Sequence, residues 1–130
     1  MDKIKRTERG WAGHFILGVN CNWRRNTLLE DTDGRGIVVS SVGALPVLDK
    51  NGNRIGWNPI GHCRWYETMI FVAHKDGIFI EADVTKQRFI ENLKWGVNRE
   101  PDGKTDLEAE SVHEKTVDYV IEHFDEVYKG

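Results

Sequence analysis

The closing stretch "TDLEAESVHEKTVDYVIEHFDEVYKG", Thr105 to Gly130, runs at a different period from the rest of the chain. Ala109, Val112, Val117, Val120, Ile121, Phe124, Val127 and Tyr128 recur mainly at steps of three and four. That spacing places them on one stripe of a helix, and such a stripe needs a surface to cover. Thr105 or Asp106 is the expected N-cap, because a side-chain oxygen there accepts N–H groups that the first turn leaves unbonded. Asp106, Glu108 and Glu110 sit where the positive end of the helix dipole favours acids. A helix over 105–128 follows, and the rest of the chain has to supply the surface beneath it.

Working back from the helix, the period becomes two. "RWYETMIFVA" (64–73) and "GIFIEADV" (77–84) flank "HKDG", whose Asp76-Gly77 is a hairpin signal, so the two read as antiparallel partners. "IVVSSVGAL" (37–45) reads as a strand after the turn formers "EDTDGRG" (30–36), and "WRRNTLLE" (23–30) as the strand before them. "WAGHFILGV" (11–19) puts Trp11, Phe15, Leu17 and Val19 on one side of a first strand and His14 and Ile16 on the other, with "GVNCN" as the bend that follows. "PVLDKNGNRIGWNPIGH" (46–62) is a loop or short β-arm turning at Asn51-Gly52. "KQRFIENLKWGVNREPDGK" reads as a short helical turn running into a loop, and residues 1–9 as a flexible charged leader.

The expected architecture is one α+β domain over residues 1–130. It is a twisted, mainly antiparallel sheet of about five strands, open or curled into a half-barrel, with the C-terminal amphipathic helix packed on it. At 130 residues, 39% apolar and 30% charged, the chain has the size and composition of a globular domain with one core. Its apolar runs are far shorter than the roughly 20 residues that cross a bilayer, and no signal-peptide stretch follows the first charged residues. The cytoplasm is the expected compartment, with Cys21 and Cys63 as free thiols. The net charge of −3 divides unevenly: from Asp106 onward there are eight acids and two bases, before it thirteen acids and sixteen bases. That basic excess is too small to mark a nucleic-acid face.

Candidate chemistry gathers near "GHFILGVNCNWRRNTLLE" (13–30). His14, Trp23, Arg24 and Arg25, with Glu67 from the later hairpin, form the candidate binding surface, since aromatic and arginine side chains dominate interface hot spots. Glu67 shares strand parity with Met69 and Phe71, so a carboxylate on an apolar face needs a partner, and Arg24 or Arg25 is the expected one. No metal is expected; the weaker alternative is a zinc site from His14, Cys21, His62 and Cys63, whose spacing is poor for zinc. "DKNGNRIGWNPI" begins like a calcium loop, then places Arg54 where glycine is required and Ile60 where a carboxylate is required. No glycine pattern for nucleotide phosphates precedes a helix, so no cofactor is expected.

At "GWAGHFILGVNCNWRRNTLLE", "IVVSSVGAL" and "RWYETMIFVA" the chain resembles a family of small uncharacterised proteins encoded in bacteriophages and prophages, over roughly residues 9–84 plus the closing helix. The resemblance implies no activity or cofactor; it implies a context in which many proteins act by binding a host protein. A binding protein with a host protein partner is therefore the expected function. The alternatives are a metal-assisted or acid/base hydrolase using His14, Cys21 and Glu67, and a nucleic-acid binder using Arg24, Arg25, Arg64 and Lys94 among Trp23, Trp57, Trp65 and Tyr66. A homodimer is compatible with the sequence.

Overall fold

The computed structural model describes residues 3–9, 21, 23–60, 64–76, 79–91 and 93–130. It is α+β: β1 (Lys5–Arg9), β2 (Arg24–Glu30), β3 (Gly36–Val42), β4 (Leu45–Leu48), β5 (Arg54–Asn58), β6 (Tyr66–Asp76), β7 (Phe79–Arg88), β8 (Gly96–Val97), α1 (Thr105–Glu122) and α2 (Phe124–Lys129). Strands β1-β2-β3-β6-β7 lie in that order, all antiparallel, with β8 pairing the start of β6 ahead of the part that β7 pairs, and β4–β5 forming a separate two-stranded arm. The expected strand over 11–19 lies outside the described residues.

Two of the hairpin turns are built alike, and both were legible as Asp/Asn-Gly signals. Asp31 accepts the N–H groups of Asp33 (3.0 Å) and Arg35 (2.8 Å), and Asp49 accepts those of Asn51 (2.8 Å) and Asn53 (2.9 Å). Gly34 and Gly52 then take φ of 82° and 83°, a conformation that glycine adopts without a Cβ clash. In the second turn these amides occupy the Asp49 carboxylate that resembled the start of a calcium loop.

Every residue of β3 is buried, which is why "IVVSSV" reads as a run rather than an alternation. On one face Leu29, Ile37, Val39 and Ile70 meet Val117, Val120, Phe124 and Val127 of the helices, and this is the main core. The other face is concave. Arg9, on β1, donates from Nη1 to the carbonyl oxygen of Ile80 on β7. Those strands stand four places apart, roughly 19 Å in a flat sheet, so the sheet has curled to bring them within reach of one side chain. Among the described residues the curl stops short of a closed barrel: no strand pairs β1 with β7.

Three expectations are corrected. Residues 5–9 form a strand, because Arg6 donates to Glu114 of α1 (2.6 and 2.9 Å) and Thr27 donates to Glu8 (2.7 Å), so polar contacts dock a segment with no apolar stripe. The single helix over 105–128 is interrupted at His123 (φ −118°, ψ 32°), and the reorientation brings both Phe124 and Val127 into the core. Neither Thr105 nor Asp106 is the N-cap. Asp102 accepts the N–H groups of Lys104 (2.7 Å) and Thr105 (3.1 Å), while the Thr105 hydroxyl accepts that of Asp102 (2.8 Å). The reciprocal arrangement resembles a capping box, and its amides hold the Asp102 carboxyl below the usual range.

Candidate functional site

Strand pairing separates the residues that the sequence grouped together. Arg24, Val42 and Glu67 lie in one cross-strand row on the concave face, whereas Arg25, Ser41 and Thr68 lie in the next row on the helix face. Trp23 is buried, edge-on to Tyr66 with ring centroids 5.8 Å apart. Arg25 sits 5.0 Å above the Trp23 ring and pairs with Glu110 of α1 at 2.8 Å. Arg64 pairs with Glu67 at 2.6 Å, because the bend before β6 brings position 64 alongside, whereas strand alternation sends Arg25 to the opposite face. His14, His62 and Cys63 lie outside the described residues.

Cys21 is buried, and burial raises its thiol, with the Gly43 amide and Arg24 acting in the other direction. A thiol nucleophile needs the opposite shift and an exposed position. Among the described residues, no group of three or more His, Cys, Asp and Glu side chains could hold a metal ion.

Beneath α1 runs a chain of polar side chains that superficially resembles a nucleophile and base. His113 is fully buried, with Nδ1 2.7 Å from the Ser41 hydroxyl and Nε2 2.7 Å from that of Thr27. Ser41 is also 2.7 Å from the Thr68 hydroxyl. Each hydroxyl has one proton to give. Thr27 donates its own to the Glu8 carboxylate, so His113 must donate to Thr27 from Nε2. Nδ1 is then the acceptor for Ser41, and Thr68 donates to Ser41. Proton counting therefore assigns the Nε2–H tautomer and one direction along the whole chain. Burial pushes His113 down to about 4, against the opposing pull of Glu8 and Glu114 and with small help from Arg6 and Arg25. Ser41 is fully buried, so no substrate reaches it. The cluster ties helix to sheet; it does not perform nucleophilic attack.

The Thr68 end of that chain opens on a cleft between β6, α1 and the segment after β7. Thr68 and Thr116, both buried, line it together with Leu93, Phe89 and Trp95. The cleft spans about 360 Å³ including its open mouth, and its cavity volume is about 30 Å³. Trp95 remains 40% exposed and Phe89 74%, with their rings edge-on at 6.4 Å. The Arg64 guanidinium lies 3.9 Å from the Trp95 ring centroid, in cation–π range, while Glu67 holds its other side. Backbone bonds fix this loop: Thr68 donates its N–H to the Trp95 carbonyl at 2.8 Å, and β8 pairs with β6 at Tyr66 and Glu67.

Of the candidate binding residues read from sequence, Glu67 touches this surface, through Arg64. Trp95 and Phe89 were missed. They sit in a segment with no clean period, and their signal was the number of large apolar residues (Phe89, Ile90, Leu93, Trp95) packed into seven positions of an expected loop. No protein-family model matches the chain, and comparison with curated proteins and with solved structures returns no match.

Proposed function

We propose that the chain is a binding protein that holds a protein partner through the surface formed by Arg64, Phe89 and Trp95, in keeping with the host-protein partner that the phage and prophage resemblance implies. The observation that carries this reading is the exposed Trp95 ring, clamped between Arg64 at 3.9 Å and Phe89 at 6.4 Å. Phe89 and Trp95 are exposed side by side, and it is contiguous apolar patches rather than single exposed residues that mark contact surfaces. Tryptophan and arginine are the side chains most enriched among interface hot spots. The clamp and the backbone bonds to β6 order the ring before any partner arrives, which lowers the entropy lost on association.

The test is affinity capture from bacterial lysate, with proteins and nucleic acids both identified. Wild type, Arg24→Ala/Arg25→Ala and Phe89→Ala/Trp95→Ala are run in parallel. The expected result is one stoichiometric protein retained by the first two and absent from the third. A partner indifferent to Phe89→Ala/Trp95→Ala, an empty lane, or nucleic acid alone in the eluate overturns the proposal.

A further inference from the structure

The direction of the hydrogen-bond chain reaches the floor of the cleft. Thr68 gives its only hydroxyl proton to Ser41, because every bond between Ser41 and Glu8 has to run toward the carboxylate. Thr116 gives its proton to the carbonyl oxygen of Val112 at 2.8 Å. Both residues line the cleft, and both are more than nine-tenths buried. Each therefore offers the cleft only lone pairs. A group seated against these two oxygens has to donate a hydrogen bond, since an acceptor would face two buried acceptors with no proton between them.

The lining constrains that donor further. Arg88 and Lys94 both border the cleft, so an ammonium or guanidinium donor enters against like charge. The cavity volume, about 30 Å³, takes one small polar group, comparable to a water molecule. Outside it stand the rings of Phe89 and Trp95, 6.4 Å apart and edge-on, which suit an aromatic body. We infer that the cleft takes a tyrosine side chain of the partner, its ring against Trp95 and Phe89 and its neutral phenolic hydroxyl donating to Thr68 or Thr116. This rests on the partner-binding reading above and names the anchor residue that such a partner presents.

The experiment is an NMR titration of the full chain with p-cresol, the tyrosine side chain in isolation, against 4-methylanisole, which keeps the ring and the oxygen but lacks the proton. A net neutral hydrogen bond of about 0.5–1.5 kcal/mol corresponds to roughly threefold to tenfold in affinity. The expected result is tighter binding of p-cresol by that factor, with shifts at Thr68, Trp95 and Thr116. Thr68→Val and Thr116→Val should each narrow the preference; Thr116→Val, which removes a hydroxyl bonded to its own helix backbone, keeps the test alive if Thr68→Val fails to fold. Equal affinities overturn the inference, as does a preference for 4-methylanisole or for 4-methylbenzylamine. If p-cresol shows no preference while capture succeeds, the contact surface stands and the tyrosine anchor falls. If p-cresol is preferred while capture fails, the cleft's selectivity stands and the protein-partner reading falls.

Discussion

Gly96 lies so close to Tyr66 that a Cβ at position 96 would overlap the Tyr66 carbonyl oxygen. The contact belongs to the β6–β8 pairing, which positions Trp95 over Arg64. Backbone stands on the far side, so nothing flexible can yield. Gly96→Ala should therefore cost about 1–3 kcal/mol, the usual range for forcing atoms into packed space, and should shift the Trp95 indole resonance. Urea denaturation combined with a proton–nitrogen spectrum checks both. An unchanged midpoint and an unmoved indole signal would refute the constraint.

His113 fills a closed site and satisfies two buried hydroxyls at once. His113→Ala leaves a cavity and removes one hydrogen-bond partner from each of Ser41 and Thr27, so a loss of about 2–4 kcal/mol is expected. A change below about 0.5 kcal/mol, the range of ordinary surface substitutions, would show that the relay contributes little to holding the helix.

The same residue sets an acid dependence. His113 titrates near 4 in the folded protein against 6.5 in its ordinary state, so between those values the unfolded chain carries the extra proton and stability rises with pH. The contribution is fully present above about pH 6.5, is lost as pH falls toward 4, and amounts to something on the order of 3 kcal/mol. The lowered carboxyls of Asp31, Asp102, Glu114 and Asp125 add their losses below that window, where carboxylates protonate. Unfolding free energies at intervals from pH 7 to pH 4 should show the slope in wild type and a flatter line in His113→Ala.

Two tryptophans should separate stability from binding. Trp23 packs against Tyr66, Val97, Ala109 and Val112, and Trp23→Ala is expected to cost about 3–5 kcal/mol. Trp95 stands on the surface, and Trp95→Ala should leave the unfolding midpoint within about 0.5 kcal/mol of wild type while abolishing partner capture. Equal losses of stability in the two variants would place Trp95 in the core instead.

Arg25 offers a smaller contrast. Its pair with Glu110 is about two-fifths exposed on both sides, and exposed pairs contribute roughly 0–1 kcal/mol. Arg25→Ala should fall in that range, with a further part from lost contact with the Trp23 ring. A much larger cost would reinstate the view that Arg25 neutralises a buried acid.

Features governed by neighbours in the chain were legible. The three-and-four spacing from Ala109 to Val127 announced the helix, and Asp33-Gly34 and Asn51-Gly52 announced turns whose glycines take positive φ. Residues 46–62 read as a loop or a β-arm turning at Asn51-Gly52, and the pairing of Leu45–Leu48 with Arg54–Asn58 makes an arm about that turn. The segment Lys5–Arg9 was not, because its contacts are ion pairs and hydrogen bonds to residues about 20 and 100 positions away, and these leave no apolar period.

By itself the sequence determined the α+β class, the antiparallel hairpins and the apolar stripe of the closing helix, since propensity, turn chemistry and periodicity act over a few residues. Only the tertiary structure decided the order of the strands, the curl that lets Arg9 reach Ile80, and the meeting of Glu8, Thr27, Ser41 and His113 from four separate elements. It also placed Arg64 on Glu67, sent Arg25 to the opposite face, and raised Trp95 into the candidate contact surface. Those outcomes depend on strand register, and register is a property of which segments pair across the sheet rather than of any one segment.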